Sequence, residues 1–179
     1  MTVQSDSGAL AGPEPMIRRL TVDDAAEYVE LRVRMLVDAP LAFGASPGHD
    51  FMSSAGTVRE QIARGDDSAI YGAFAPGLVA AIGIYREDRP KTRHKMHVWG
   101  AYVTPPHRGR GLGRLLLDEA IAHARAAPDV TALHISVTDA APAARHLYER
   151  AGFEVWGSEP DALRHDGRTV AEHHMLLRL

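Results

Sequence analysis

The stretch Val103-Thr104-Pro105-Pro106-His107-Arg108-Gly109-Arg110-Gly111-Leu112-Gly113-Arg114 constrains this chain more than any other. An apolar run ends at Val103, and two prolines stop any strand there, because proline has no N–H to give to a ladder. A loop with glycine at three alternate positions follows, then a helical run from Leu115 to Ala127. Alternating glycines let the backbone turn tightly with successive N–H groups facing one way. The helix behind them aims its positive end at the same spot. Strand, stop, turn and helix in this order read as a cradle for a pyrophosphate.

Spacing separates the known cradles. A dinucleotide fingerprint needs G-x-G-x-x-G, and here the third glycine comes one residue early. A Walker loop continues into Lys-Ser or Lys-Thr, and neither follows these glycines. What stands is Arg108-x-x-Gly111-x-Gly113, after a strand ending Ala101-Tyr102-Val103. This resembles the acetyl-CoA signature of the GNAT acyltransferases, Q/R-x-x-G-x-G/A. Far downstream, Leu147-Tyr148-Glu149-Arg150-Ala151-Gly152-Phe153 resembles the family's L-Y-E-K-x-G-F segment.

Composition narrows the function classes. The 179 residues suffice for one domain with a real core. The formal net charge of −3 argues against bulk affinity for nucleic acid. With no cysteine, disulfides, thiolate metal sites and a covalent cysteine intermediate are excluded. That fits a reducing cytoplasm, the expected location. No apolar run approaches the roughly 20 residues of a membrane span. Residues 1–15 have no basic start and no long apolar core, so they read as a flexible tail rather than a signal peptide.

From Met16 onward the pattern alternates. Met16–Leu20 reads as a strand, and Thr21 caps a helix to about Val37 with Asp23 and Asp24 in its first turn. Val29, Val33 and Leu36 line one face of that helix, widened by Tyr28, Leu31 and Met35. Asp38–Thr57 is irregular and reads as a substrate-facing loop. Within it, Gly44-Ala45-Ser46-Pro47-Gly48 formally matches a nucleophile elbow. Pro47 cannot supply the N–H that the oxyanion hole needs, so the match is rejected. A short helix over Val58–Arg64 follows. Ser68–Phe74 and Leu78–Tyr85 read as paired strands, with Ala80, Ile82 and Ile84 on one side. Lys95–Val103 is a strand, and Gly100 within it marks a bulge or a close backbone approach.

The cradle helix presents Leu112, Leu116, Leu117, Ala120, Ile121 and Ala124 to the core. Thr131–Val137 is a strand with Leu133, Ile135 and Val137 inward and His134 outward. Asp139 caps a helix that buries Ala144, Leu147, Tyr148 and Ala151 and ends at Gly152. Phe153–Gly157 is a strand, Glu159–Asp166 a loop, and Thr169–Leu179 a last strand with Ala171, His173, Met175 and Leu177 on one face. The expected architecture is therefore α/β (α+β): one mixed sheet of about seven strands, helices on both faces, and a single domain over residues 16–179.

The resemblance implies more. It implies a mostly antiparallel sheet that splays between its fourth and fifth strands, with the pantetheine arm of acetyl-CoA running between them. Exposed edges there leave N–H and C=O groups that pantetheine amides can satisfy. Ala101, Tyr102 and Val103 would then line the arm, with the Val103 backbone on the acetyl carbonyl. The amides of Gly109, Arg110, Gly111, Leu112, Gly113 and Arg114 would hold the pyrophosphate, with the side chains of Arg108, Arg110 and Arg114 placed to add charge. Tyr148 matches the tyrosine that family members use as the acid facing the departing sulfur. An asparagine that often contacts pantetheine in the family is replaced here by Ala141.

The acceptor implied is a primary amine. An amine of pKa ~10.4 is about 99.9% protonated at pH 7, which costs roughly 4–5 kcal/mol to undo. A base, a water relay or desolvation must help. Eleven positions before Arg108 stands His97, at about the place where histone-acetylating members carry a glutamate. His97 titrates near neutrality and is the first candidate for the base; Glu30, Glu172 and His174 rank behind it. Ten histidines invite a metal, but there is no H-E-x-x-H, and the pairs His94/His97 and His173/His174 point to opposite faces of their strands. No metal site is expected.

The reading is an acetyl-CoA-dependent N-acetyltransferase that moves the acetyl group directly to the amine. Its rivals are a non-catalytic acyl-CoA sensor on the same fold and a nucleic-acid module built on Arg108, Arg110 and Arg114. No nucleic-acid or membrane partner is expected, and a homodimer is compatible with the sequence.

Overall fold

The computed structural model describes residues 14–179. Most of the tail expected over 1–15 lies outside the described residues. Seven strands, β1 (Met16–Arg19), β2 (Ser68–Phe74), β3 (Leu78–Arg86), β4 (Lys95–Val103), β5 (Ala132–Thr138), β6 (Glu154–His165) and β7 (Arg168–Arg178), form one sheet. Their order is β1-β2-β3-β4-β5-β7-β6. Only the β4–β5 contact is parallel; the other five are antiparallel. Helices α1 (Ala25–Asp38) and α2 (Ala55–Ile62) cover one face, and α3 (Leu112–Ala126) and α4 (Pro142–Arg150) cover the other.

The core has two halves, one on each side of the sheet. On the α3 side, Ile82, Ile84, Met96, Leu133 and Met175 meet Leu116 and Leu117. On the α1 side, Ile70 and Ala81 meet Tyr28, Leu31, Met35 and Val58. Burying each of the larger side chains contributes about 1.5–3 kcal/mol. The inward face expected for α3 is the face found: all six of its named residues are buried.

The α1 face is rotated from the expected one. Its buried residues are Ala25, Tyr28, Leu31, Arg32, Met35 and Leu36, while Val33 and Val37 face out. The centre of the buried stripe is an arginine. Burial of a guanidinium is tolerable only with a partner, and Asp50 supplies it at 2.8 Å. Thr21 does start the segment, through a 3-10 turn at Val22–Asp24: its N–H and hydroxyl donate to Asp24 Oδ2 at 2.7 and 3.0 Å.

Gly100 forms a bulge. Ala81 pairs with Tyr102 and Gly83 with Trp99, so Gly100 and Ala101 together oppose Ile82. Gly100 has φ +58°, and a Cβ there would lie 3.4 Å from the Arg32 guanidinium and 3.6 Å from the Tyr28 hydroxyl. The extra residue shifts the strand's parity. Trp99 and Tyr102 both pack on the α1 side, while Ala101 and Val103 pack on the α3 side.

β4 and β5 part before the bulge. They pair only at Lys95–Ala132, Met96–Leu133 and His97–His134. The expected splay is thus present, and it begins after His97.

Three local expectations are corrected. The segment Glu159–Asp166 is not a loop: β6 runs through to His165 and turns into β7 at Asp166-Gly167, with register shifts near Val155 and between Glu159 and Leu163. Both turn residues have positive φ, 47° and 75°, as a two-residue type I′ hairpin demands. Asp139 does not cap α4, whose N-cap is Ala141; it instead accepts from His173 Nε2 at 2.7 Å. His134 does not point to solvent but stacks on His97, with ring centroids 5.2 Å apart.

Candidate active site

A cleft of about 600 Å³ opens where β4 and β5 separate. Its walls are the end of β4 (Ala101, Tyr102, Val103), the glycine loop, the start of α3, Ala140 and Ala141 just before α4, and Pro142, Ala143, Ala144, Leu147 and Tyr148 within it. Ala39, Ala42 and Phe43 close it from the α1–α2 connection, which the sequence placed over the substrate. A buried hydrogen bond from Thr138 Oγ1 to Leu41 O, 2.7 Å, ties that connection to β5 across the splay.

The cradle has the geometry of an anion site. Gly109 and Gly111 hold φ +74° and +80°, a region that residues with a side chain seldom adopt. Among the described residues, the amides of residues 109–113 donate to no backbone carbonyl, so they remain available at the helix start. The Arg114 amide is already used, donating to Gly111 O at 3.0 Å. Gly113 serves packing: a Cβ there would meet Leu147 Cδ2 at 3.3 Å. The arginines divide in the same way. Arg108 Nε donates to Val103 O at 3.0 Å and its Nη2 to Asp38. Arg114 pairs with Asp118 one turn along α3 at 2.9 Å.

The Val103 amide faces the splay. Thr104 N–H donates to Val79 O at 2.9 Å, and strand alternation turns the preceding N–H to the opposite edge. Tyr148 is buried, makes no side-chain hydrogen bond to any described residue, and lines the cleft. Loss of hydration raises its phenol pKa. It therefore stays protonated and able to donate.

A second cavity of about 350 Å³ lies beyond the cleft, on the α1 face. Ala42 and Phe43 line both cavities. Its other walls include Tyr85, His97, Trp99, His134, Trp156, Glu172 and His174. His97 Nε2 lies 3.1 Å from Glu87 Oε1. An ionised carboxylate only accepts, so Nε2 carries the proton and Nδ1 keeps its lone pair. Burial lowers the pKa of both His97 and His134, opposed in His97 by Glu87. Both are neutral at pH 7. His97 is six residues from Val103, roughly 15–20 Å along the strand. The structure brings His97 to the second cavity but not to Val103.

The weaker candidates divide. Glu30 is exposed and faces Arg34 at 3.5 Å. Glu172 and His174 line the second cavity, and with Glu159 they bring one ligand atom each within 4.8 Å of one another. Glu172, Trp156 and Tyr85 are the wall residues that sequence reasoning ranked low or passed over. The Asp166-Gly167 turn alone would set Trp156 opposite Leu177; the two register shifts along β6 bring it beside His174.

A seven-stranded mixed sheet that opens beside a glycine-lined helix start defines a class, the acyl-CoA transferase fold. The chain belongs to the acetyltransferase (GNAT) family, whose model matches residues 37–153. It is similar to a GNAT-family acetyltransferase from Streptococcus pneumoniae, with 25% identity and TM-score 0.83 over 93% of this chain and 100% of that one. A ribosomal-protein-alanine N-acetyltransferase from Brucella melitensis aligns at 23% identity and TM-score 0.78, covering 92% and 99%. A phosphinothricin acetyltransferase from Sinorhizobium meliloti, solved with acetyl-CoA, aligns at 17% identity and TM-score 0.78, covering 93% and 89%. At these lower identities the last two share the fold. Among the described residues, no helix is long and apolar enough to cross a membrane.

Proposed function

We propose that the chain transfers the acetyl group of acetyl-CoA directly to a primary amine. The observation that carries this reading is the junction of the two cavities. Ala42 and Phe43 wall both, at the place where β4 and β5 part. Acetyl-CoA threads the larger cleft with its pyrophosphate on the free amides of residues 109–113. Its thioester lies beside Val103, and the amine approaches from the smaller cavity.

The residues then have separate tasks. The Val103 N–H polarises the acetyl carbonyl as the oxyanion forms. The amine nitrogen bonds to the carbonyl carbon, the C–S bond breaks, and CoA leaves as thiolate or thiol. Tyr148 donates a hydrogen bond to that sulfur. Phenol is a weaker acid than a thiol by about 1.5 pKa units, roughly 2 kcal/mol, and burial widens the gap. The tyrosine therefore stabilises the thiolate more than it protonates it. The amine proton passes through water to the free Nδ1 of His97. With no cysteine in the chain, direct transfer is favoured over an acyl-enzyme. The reading places the chain in the cytoplasm, where acetyl-CoA circulates.

The test is release of free thiol from acetyl-CoA against a panel of amines. Amine-dependent release is the expected result. Coenzyme A binding without release for any amine would instead make the chain an acyl-CoA sensor.

A further inference from the structure

We propose that the acceptor is a small primary amine carrying a flat aromatic ring on a short tether, with its ammonium held by Glu172 in the second cavity. This rests on the transferase reading above and narrows it to a substrate class.

Size sets the first bound. A cavity of about 350 Å³ is at the small end of ligand pockets, and suits a molecule of a dozen or so heavy atoms.

Charge sets the second. Glu172 is half-buried, with a side-chain exposure of 28%, and accepts no hydrogen bond from any described residue. The nearest cation-capable atom is His174 Nδ1 at 3.9 Å, and that nitrogen is engaged by Ser136 Oγ at 2.9 Å. The arginine on the wall is already matched: Arg32 pairs with Asp50 at 2.8 Å, both side chains buried. A half-buried carboxylate without a donor favours a cation.

Ring chemistry sets the third. Five rings cross the sheet in contact, one from each of β3 to β7. Tyr85 stacks on His97 at 5.0 Å and His97 on His134 at 5.2 Å. Trp156 meets His134 edge-on at 6.4 Å and stacks on His174 at 5.5 Å. Trp156 is nevertheless 62% exposed. An open indole at the wall of a cavity offers a π surface to a flat ring, whereas an aliphatic amine gains little from it.

Position joins the three. Glu172 pairs with Thr138 across β5 and β7, and Thr138 anchors the connection that walls both cavities. Glu172 therefore stands on the stretch of β7 that faces this anchor, on the second cavity's wall. His174, two residues further along the strand, carries the stack with Trp156. Two residues of strand span roughly 6–7 Å, the reach of a two- or three-carbon tether between an ammonium and a ring.

The experiment measures binding by calorimetry on the full chain saturated with coenzyme A. The ligands are 2-phenylethylamine, tryptamine, n-butylamine and a lysine-containing peptide, and thiol release from acetyl-CoA is followed in parallel. The aryl amines should bind at least tenfold more tightly than butylamine or the peptide. Trp156→Ala should erase that ratio, and Glu172→Gln should weaken every amine at least tenfold. Neither should change coenzyme A affinity, which also shows that each variant is folded. Equal binding of butylamine or the peptide, or an unaltered Glu172→Gln, would overturn the assignment. So would loss of amine binding on adding a chelator, which would make Glu159, Glu172 and His174 a metal centre. Aryl-selective binding with no thiol release leaves the subsite standing and removes the transferase reading. Release that does not discriminate among amines does the reverse.

Discussion

Asp38, the last residue of α1, receives the guanidinium of Arg108 from the glycine loop, seventy positions away in the chain. The same guanidinium donates to the Val103 carbonyl. The first residue of the acetyl-CoA signature is therefore a strut that joins α1, the end of β4 and the loop.

Removing that strut should loosen the cradle without unfolding the protein. Asp38→Ala should weaken coenzyme A by about fivefold, the worth of a hydrogen bond of about 1 kcal/mol. Calorimetric titration checks this; unchanged affinity would mean that the loop holds its shape without Arg108.

Gly111 sits at φ +80° with open space where a Cβ would stand. The obstacle to substitution is backbone strain rather than a clash, of order 1–3 kcal/mol. Gly111→Val should lose that much stability and reduce coenzyme A binding more than tenfold, because the amides of residues 109–113 would lose their common direction. Denaturant titration and calorimetry on the same sample separate the two effects.

Tyr148→Phe keeps the ring that packs against Phe153 at 6.1 Å and deletes only the hydroxyl. Turnover should fall at least tenfold while coenzyme A affinity stays within about twofold, since the hydrogen bond matters as charge develops on sulfur. Steady-state thiol release shows it, and a variant with full turnover would remove the hydroxyl from the reaction.

Burial depresses His97 and His134 below their ordinary pKa of 6.5. The unfolded chain therefore takes up protons before the folded one does. By linkage, this part of the stability is complete above about pH 6.5 and is lost as pH falls through 6.5 toward the folded values. The urea midpoint should drop between pH 7.5 and 5.5, and His97→Gln should flatten part of the drop. Asp24 acts in the same direction, but its lowered pKa places its window below that of an ordinary carboxylate, at more acidic pH.

Arg32 and Asp50 form a buried pair, with side-chain exposures of 8% and 5%. Breaking such a pair leaves one charge without compensation and costs about 3–5 kcal/mol. Asp50→Ala should destabilise by that order in urea titration. A loss under 1 kcal/mol would mean that water reaches Arg32.

Much of this was legible in the sequence because it is local. Gly109, Gly111 and Gly113, the proline stop and the α3 stripe each declare themselves within a dozen residues. The Asp166-Gly167 turn was equally local but went unread, and with it the length of β6. Arg32 hid the true face of α1, since a periodicity argument sets a charge outside unless its partner is known, and Asp50 lies eighteen residues on. His134 was read outward because a polar residue on an alternating strand ordinarily faces water; here that face is the wall of a cavity.

The amino-acid order alone determined the element succession and the phosphate-binding cradle, because turn chemistry and hydrophobic period act between near neighbours. Only the tertiary structure decided where β4 and β5 separate, that Arg108 braces the loop, and that Glu172 meets three histidines and two tryptophans around one cavity. Those relations join strands distant in sequence, and they follow from sheet order and register, which no local pattern encodes; the bulge at Gly100 was the part of this that a single glycine announced.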